Sequence, residues 1–488
     1  MFIAVAFFLN VTANFVFSVA MSALLGPAEF GRYATVALAA VTLGGAMFDW
    51  LRFSSLRFGG DSEGRKRVAA SLDAGYLLMM GLLLLGASAV AASGGRFGLT
   101  PSLLALTPLL AIALNRCDFT GALFRARDQT RAFVTLYALR QSLAFTVVIG
   151  VAYFTRAAAP TIAALAATSL IPAVALASAL RTPGATLRQA SREDLRRFFV
   201  YAKPIVASLV IYQLIGLLNR QSALDHLGAG ATGQLSLATD VGTRLFQAIN
   251  SLPEMLLFQY ALKRDREQGR AAAERQIGAN IVVVFALLAP LAAGYCAMAP
   301  TFQALLVPLA YRGDFARLSV ELAPGFVALC ALSSMLNPVF QLAQRTWPLT
   351  IAASIALATD FALLHFGGAA QSTDTLSRAY SISIGVGFGV SLLIALRNPN
   401  VRPKLRDIAV IAVATLIMAL AIRPLNGVGP PVVAALLALI VGGAVFGSAL
   451  LAFDVAGLRT LALASWRAPG DRWSPLARRH IRAEAPRP

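Results

Sequence analysis

The stretch LLGPAEFGRYATVALAAVTLGGAMFDWLRFSSLRF, Leu24–Phe58, decides the architecture. Gly26-Pro27 is turn chemistry and closes the apolar segment before it. From Tyr33 the chain runs on as roughly twenty apolar residues, enough to cross a bilayer as a helix. It ends at Arg52 and Arg57 and leads into the basic run Arg65-Lys66-Arg67. Two spanning helices, a short polar turn on one side and a positive loop on the other are therefore written in one hairpin.

The rest of the chain repeats this plan. It has 488 residues, 58% hydrophobic and only 13% charged, which is a membrane composition. Apolar segments of spanning length are predicted at roughly 2–23, 33–51, 70–92, 101–122, 133–154, 160–180, 203–223, 233–258, 277–299, 322–343, 348–366, 377–396, 408–423 and 431–453. This makes an all-α membrane protein of about 14 transmembrane helices. The segment at 233–258 is long and polar-striped, and that at 408–423 is short.

The net charge of +19 does not point to nucleic acid, because the basic residues sit in loops between apolar spans. One alternating set of loops (52–70, 124–132, 181–203, 262–276, 344–347, 397–407) holds 24 Lys and Arg, and the opposite set holds 5. The positive-inside rule places the rich set in the cytoplasm. An even helix number puts both termini there, together with the Arg-rich tail from Arg459 to Arg487, which is expected to lie against anionic headgroups. The apolar amino terminus reads as the first helix, not as a signal peptide.

Leu25, Gly26 and Gly31 recur at the same mutual spacing as Leu227, Gly228 and Gly233, six helices later. Each set is followed by a long helix and a basic loop containing Gly-Arg. A parallel repeat of six-helix units around a central site is a common transporter plan. The expected division is 1–180 (first lobe, six helices), 181–202 (cytoplasmic linker), 203–397 (second lobe, six helices), 398–453 (two further helices) and 454–488 (basic cytoplasmic tail).

Leu24 to Ala39 followed by Phe48-Asp49-Trp50 resembles the junction of the first two helices in polysaccharide and O-antigen flippases. That family, within the multidrug/oligosaccharidyl-lipid/polysaccharide exporter superfamily, shows a Leu-Gly turn, an acidic residue, Gly and Tyr, and later Asp-x-Gly. Here Trp50 and Leu51 follow Asp49. The resemblance, with the layout above, extends over about residues 1 to 455. It implies a flippase of the bacterial inner membrane, active in O-antigen, lipopolysaccharide or exopolysaccharide biosynthesis. Such a protein moves an undecaprenyl-diphosphate-linked oligosaccharide to the periplasmic leaflet through a cationic cavity, and other polysaccharide-assembly proteins are expected partners.

Polar stripes mark where a hydrated cavity is expected. Asn10, Asn14, Ser18 and Ser22 share one face of the first helix. Ser236, Asp240, Arg244, Gln247, Ser251 and Glu254 stripe the eighth segment, and Ser334, Asn337, Gln341 and Gln344 the tenth. A charge inside a span costs about 2.5–3.5 kcal/mol, so it needs a partner or water. Asp240 and Arg244, one turn apart, are expected to neutralise each other, and Asp49 to pair with Arg52. Arg140 has no nearby anion in sequence, Arg116 has Asp118 close by, and Asp360 lies inside a span. Arg32, Arg220 and Arg378 read as interfacial, snorkelling side chains. Arg suits phosphate oxygens. The expected cargo contacts are therefore Arg244, Arg140, Arg116, Asn10, Asn14, Gln247 and Asn337, with Asp240 or Asp360 coupling transport to H+ or Na+.

No cofactor is expected. Gly228 to Gly233 matches a dinucleotide string, but no strand precedes it, and the four lysines include none in a phosphate-binding loop. Cys117, Cys296 and Cys330 sit in apolar surroundings and read as core, and the three histidines lack zinc spacing. Two rivals remain. A drug or metabolite exporter of the same superfamily should favour an acidic, aromatic cavity. A membrane polysaccharide polymerase or glycosyltransferase needs catalytic carboxylates outside the spans, for which Asp314 and Glu321, beside Arg312 and Arg317, are the candidates.

Overall fold

The structure, a computed structural model, describes residues 2–59, 64–94, 97–180, 186–343, 345, 347–457 and 459, and their side chains except at 2–12, 65, 204, 205, 252, 255, 369 and 456. Every long element is an α-helix: α1 (Phe2–Phe58), α2 (Arg65–Ala92), α3 (Pro101–Ala126), α4 (Thr130–Leu143), α5 (Ile149–Thr155), α6 (Ala158–Ala175), α7 (Arg192–His226) and α8 (Gly228–Gln268). There follow α9 (Arg270–Ala297), α10 (Ala299–Leu306), α11 (Asp314–Ala331), α12 (Asn337–Leu342), α13 (Trp347–His365), α14 (Thr373–Ala395), α15 (Leu405–Ile422) and α16 (Pro431–Ala452). Widened, π-type turns join α4 to α5 and α11 to α12 into single rods.

The turn that opened the sequence reading is a sharp one. Gly26 has φ 71° and ψ 171°, which breaks α1 into two arms, 2–25 and 27–58. Glycine adopts this conformation without a Cβ penalty, and Pro27 then starts the second arm, where a missing N–H costs nothing. Gly228 does the same between α7 and α8, with φ 86°. The dinucleotide-like string Gly228 to Gly233 is thus a helix start.

Eleven helices among the described residues are long and apolar enough to cross a membrane, or twelve if α7, bent by 58° between Lys203 and Val206, counts as one span. The two arms of α1 count once in that number, and the polar-striped α8 falls outside it. Fourteen is therefore an approximate figure. Helices also run further than the apolar runs predict: the second arm of α1 reaches Phe58, α7 starts at Arg192 and α8 extends to Gln268. Outward-facing side chains such as Leu436, Leu439, Ile440 and Leu420 are apolar and exposed, as lipid-facing positions must be.

In the first part of the chain the second arm of α1 packs on α3, and α3 on α6. In the second, α8 packs on α9 and α11, α11 on α14, and α14 on α13. Large buried rings fill the interior, among them Phe30, Phe48, Phe246, Phe326 and Tyr311. Between the two groups α1 meets α7 and α8 over a long seam. Helices α15 and α16 pair with each other and lean on α9 and α10, with Met298, Met418, Ile422, Ala434 and Ala438 as their own small core.

Candidate functional site

The polar residues of the seam do not pair as their spacing predicts. Asp240 forms its ion pair with Arg220 of α7, not with Arg244. Arg220 is buried, and its second donor group goes to the Ala34 carbonyl oxygen on α1, 3.0 Å away. Snorkelling is therefore the wrong description of Arg220: helix packing brings it inward, where two acceptors satisfy its guanidinium. Arg32 and Arg378, also read as snorkelling, are paired with Glu29 and Glu321.

The consequence falls on Arg244. It is half-buried on α8 and makes no hydrogen bond or ion pair among the described residues. A half-buried guanidinium without a carboxylate partner is an open position for an anion. Gln247, one turn further along α8, is exposed, and Ser251 turns back to the Ala248 carbonyl at 2.7 Å. Ser236, the first residue of the α8 stripe, has a buried hydroxyl with no partner among the described residues. Sequence reasoning missed Gln213 of α7, whose buried side-chain oxygen lies close to Gly45 and has no partner among the described residues. It sits in otherwise apolar sequence, so only its helical register could have singled it out.

Arg140 and Arg116, also expected to contact the cargo, have partners within the protein. Arg140 on α4 pairs with Asp118 of α3 at 3.1 Å, and Tyr137 donates to the same carboxylate at 3.3 Å. Arg116 does not use Asp118; its guanidinium lies over the rings of Tyr76 and Phe119, 5.2 and 5.8 Å from their centres. On a helix, residues two apart point to different faces, which is why Asp118 serves Arg140 instead. Asp49 and Arg52 pair as their spacing predicts, at 3.1 Å.

On the first arm of α1, Asn14 is half-buried, Ser18 and Ser22 are buried, and the Asn10 side chain is outside the described residues. Along the tenth segment Ser334 is buried and bonded to the Cys330 carbonyl, Asn337 is half-buried, Gln341 is exposed, and Gln344 is outside the described residues, as is most of the basic tail.

Asp360 sits apart, fully buried in α13. It accepts hydrogen bonds from Asn219 of α7 at 2.8 Å and Ser383 of α14 at 3.3 Å. Its second carboxyl oxygen and the Asn219 side-chain oxygen have no partner among the described residues. Among the described residues no three His, Cys, Asp or Glu side chains gather as a metal site. Asp314 and Glu321 are engaged too, with Arg317 and Arg378 at 2.8 Å each, and the segment that carries them is ordered into α10 and α11.

No family model and no curated protein matches this chain by sequence. Its fold is nonetheless shared with solved structures. The lipid II flippase MurJ in an inward closed conformation superposes with a TM-score of 0.72 at 13% identity, covering 94% of this chain and 99% of that one. An inward-facing multidrug resistance MATE family transporter of the MOP superfamily gives 0.53 at 16% identity, covering 80% and 93%. The chain has the multi-helix membrane fold of these proteins.

Proposed function

We propose that this chain is a flippase for a lipid-linked oligosaccharide in a bacterial inner membrane. The cargo is a sugar chain on undecaprenyl diphosphate, carried from the cytoplasmic to the periplasmic leaflet with no bond made or broken. The observation that carries the reading is Arg244: a half-buried cation on α8 with no ion pair among the described residues, whose nearest carboxylate in sequence is already taken by Arg220. A diphosphate supplies the missing anion, and the planar fork of Arg fits its oxygens. Gln247, Gln213 and Asn337 offer amide contacts to the cargo's polar part. The lipid tail stays in the bilayer while the two lobes rock about the cavity, the basic loops facing the cytoplasm.

Asp360 is the better of the two coupling candidates. Asp240 is neutralised by Arg220, whereas Asp360 is buried with a free oxygen among neutral donors. A bare charge there is expensive, so a proton or a small cation such as Na+ must accompany it.

An exporter of drugs or small metabolites has one observation in its favour, the fold shared with a MATE transporter. The free charge of the seam is basic, which suits an anionic headgroup better. A polymerase would need Asp314 or Glu321 free for acid–base chemistry, and both are held by arginines.

The test is to reconstitute the protein in liposomes with a labelled polyprenyl-diphosphate sugar. The label should change leaflet while its mass stays the same. A heavier glycan product would support the polymerase, and export of small cations with no movement of the lipid would support the exporter.

A further inference from the structure

The two glycines that mark the internal repeat touch each other's helices. A Cβ on Gly31 would overlap the Ala229 carbonyl oxygen and lie 2.7 Å from the Gly233 amide nitrogen. A Cβ on Gly233 would overlap the Pro27 carbonyl oxygen and lie 2.7 Å from its carbonyl carbon. The arrangement is reciprocal. Pro27 and Ala229 each follow a positive-φ glycine, Gly26 and Gly228, so the opening turn of each helix receives the glycine of the other. The same surface used twice in this way is what a two-fold relation between repeats produces.

Side-chain contacts close over the crossing. Tyr311, fully buried in the segment between α10 and α11, donates its hydroxyl to the Ser22 carbonyl at 3.3 Å and sets its ring edge-on to Phe30, 6.2 Å between centres. Further into the seam Arg220 bridges Ala34 of α1 and Asp240 of α8. All of these join α1 to the second half of the chain, and the crossing lies at the end opposite the basic loops.

We infer that Gly31 and Gly233 form the gate that closes the cavity on the side of the short turns. Backbone-to-backbone contact makes the seal tight, and for it to part only the Tyr311 contacts and the Arg220 bridge must be released with it. Arg220 lies between this gate and Arg244. The inference rests on the two-lobe reading above, but it concerns the gate alone and its test uses no cargo.

The experiment places a single cysteine at Gln247 after replacing Cys117, Cys296 and Cys330, and adds a membrane-impermeant maleimide only on the side of the short turns. The parent should be poorly labelled. Gly31→Ala or Gly233→Ala forces the helices roughly 1 Å or more apart to restore ordinary contact. Each should raise the labelling rate about tenfold, as expected when the open population grows by that factor. Gly230→Ala, with no atom within 4 Å of the new methyl, is the control and should change nothing. Should the two glycine variants fail to reach the membrane, Tyr311→Phe keeps the ring and removes only the tie to Ser22, and it should raise labelling about threefold. Unchanged labelling in the glycine variants at parental abundance, or in Tyr311→Phe where those variants are not made, overturns the gate. So does an equal rise with Gly230→Ala.

Discussion

Asp240 is bonded to Arg220 of the neighbouring helix and not to Arg244, one turn along its own. The pair is intramembrane and only partly hydrated, so removing one member leaves a charge without compensation. Arg220→Ala is expected to destabilise the protein by about 3–5 kcal/mol. The double change Arg220→Gln with Asp240→Asn should recover most of that loss. Arg244→Ala should leave the melting temperature in detergent near that of the parent. A large drop with Arg244→Ala and none with Arg220→Ala would reverse the assignment.

The Arg140–Asp118 pair separates cargo binding from structure. If it only ties α3 to α4, then Arg140→Gln with Asp118→Asn should fold and flip near parental rates, measured at equal membrane abundance. A loss of more than about tenfold in flipping, equivalent to roughly 1.4 kcal/mol, would return Arg140 to the cargo site.

For Asp360 the expected change is in coupling. Asp360→Asn keeps the hydrogen-bonding shape toward Asn219 and Ser383 but removes the ionisable group. Flipping by this variant should stop responding to an imposed proton or sodium gradient. A response equal to that of the parent would assign coupling to another residue or remove it.

Orientation is open to a direct check. A reporter active only in the cytoplasm should work when fused after Lys66, Arg196 or Arg266, and should fail after His226 or Gly368. Two or more reversed signals would invert the proposed direction of transport.

The apolar runs, the turn at Gly26-Pro27 and its repeat at Gly228 were legible because each depends on residues close in sequence. The Asp49–Arg52 pair was legible for the same reason, being one turn of a single helix. Arg220–Asp240, Arg140–Asp118 and the Asn219–Asp360 bond were not. Each joins two helices, and periodicity tells which face a residue occupies but not which helix will face it. The local pairing of Asp240 with Arg244 was reasonable within one helix and lost to a better-placed partner on another. Helix ends were underestimated where polar residues continue the rod, as at Arg192 in α7 and beyond Gln259 in α8.

The central claim is that Arg244 holds the anionic head of a lipid-linked cargo. It is tested most directly by the rate at which the reconstituted protein moves a labelled polyprenyl-diphosphate sugar between leaflets, compared among the parent, Arg244→Lys and Arg244→Ala at equal abundance. Arg244→Lys should flip more slowly than the parent, since charge survives but the planar fork does not, and Arg244→Ala should not flip at all. Parental flipping by Arg244→Ala would contradict the claim.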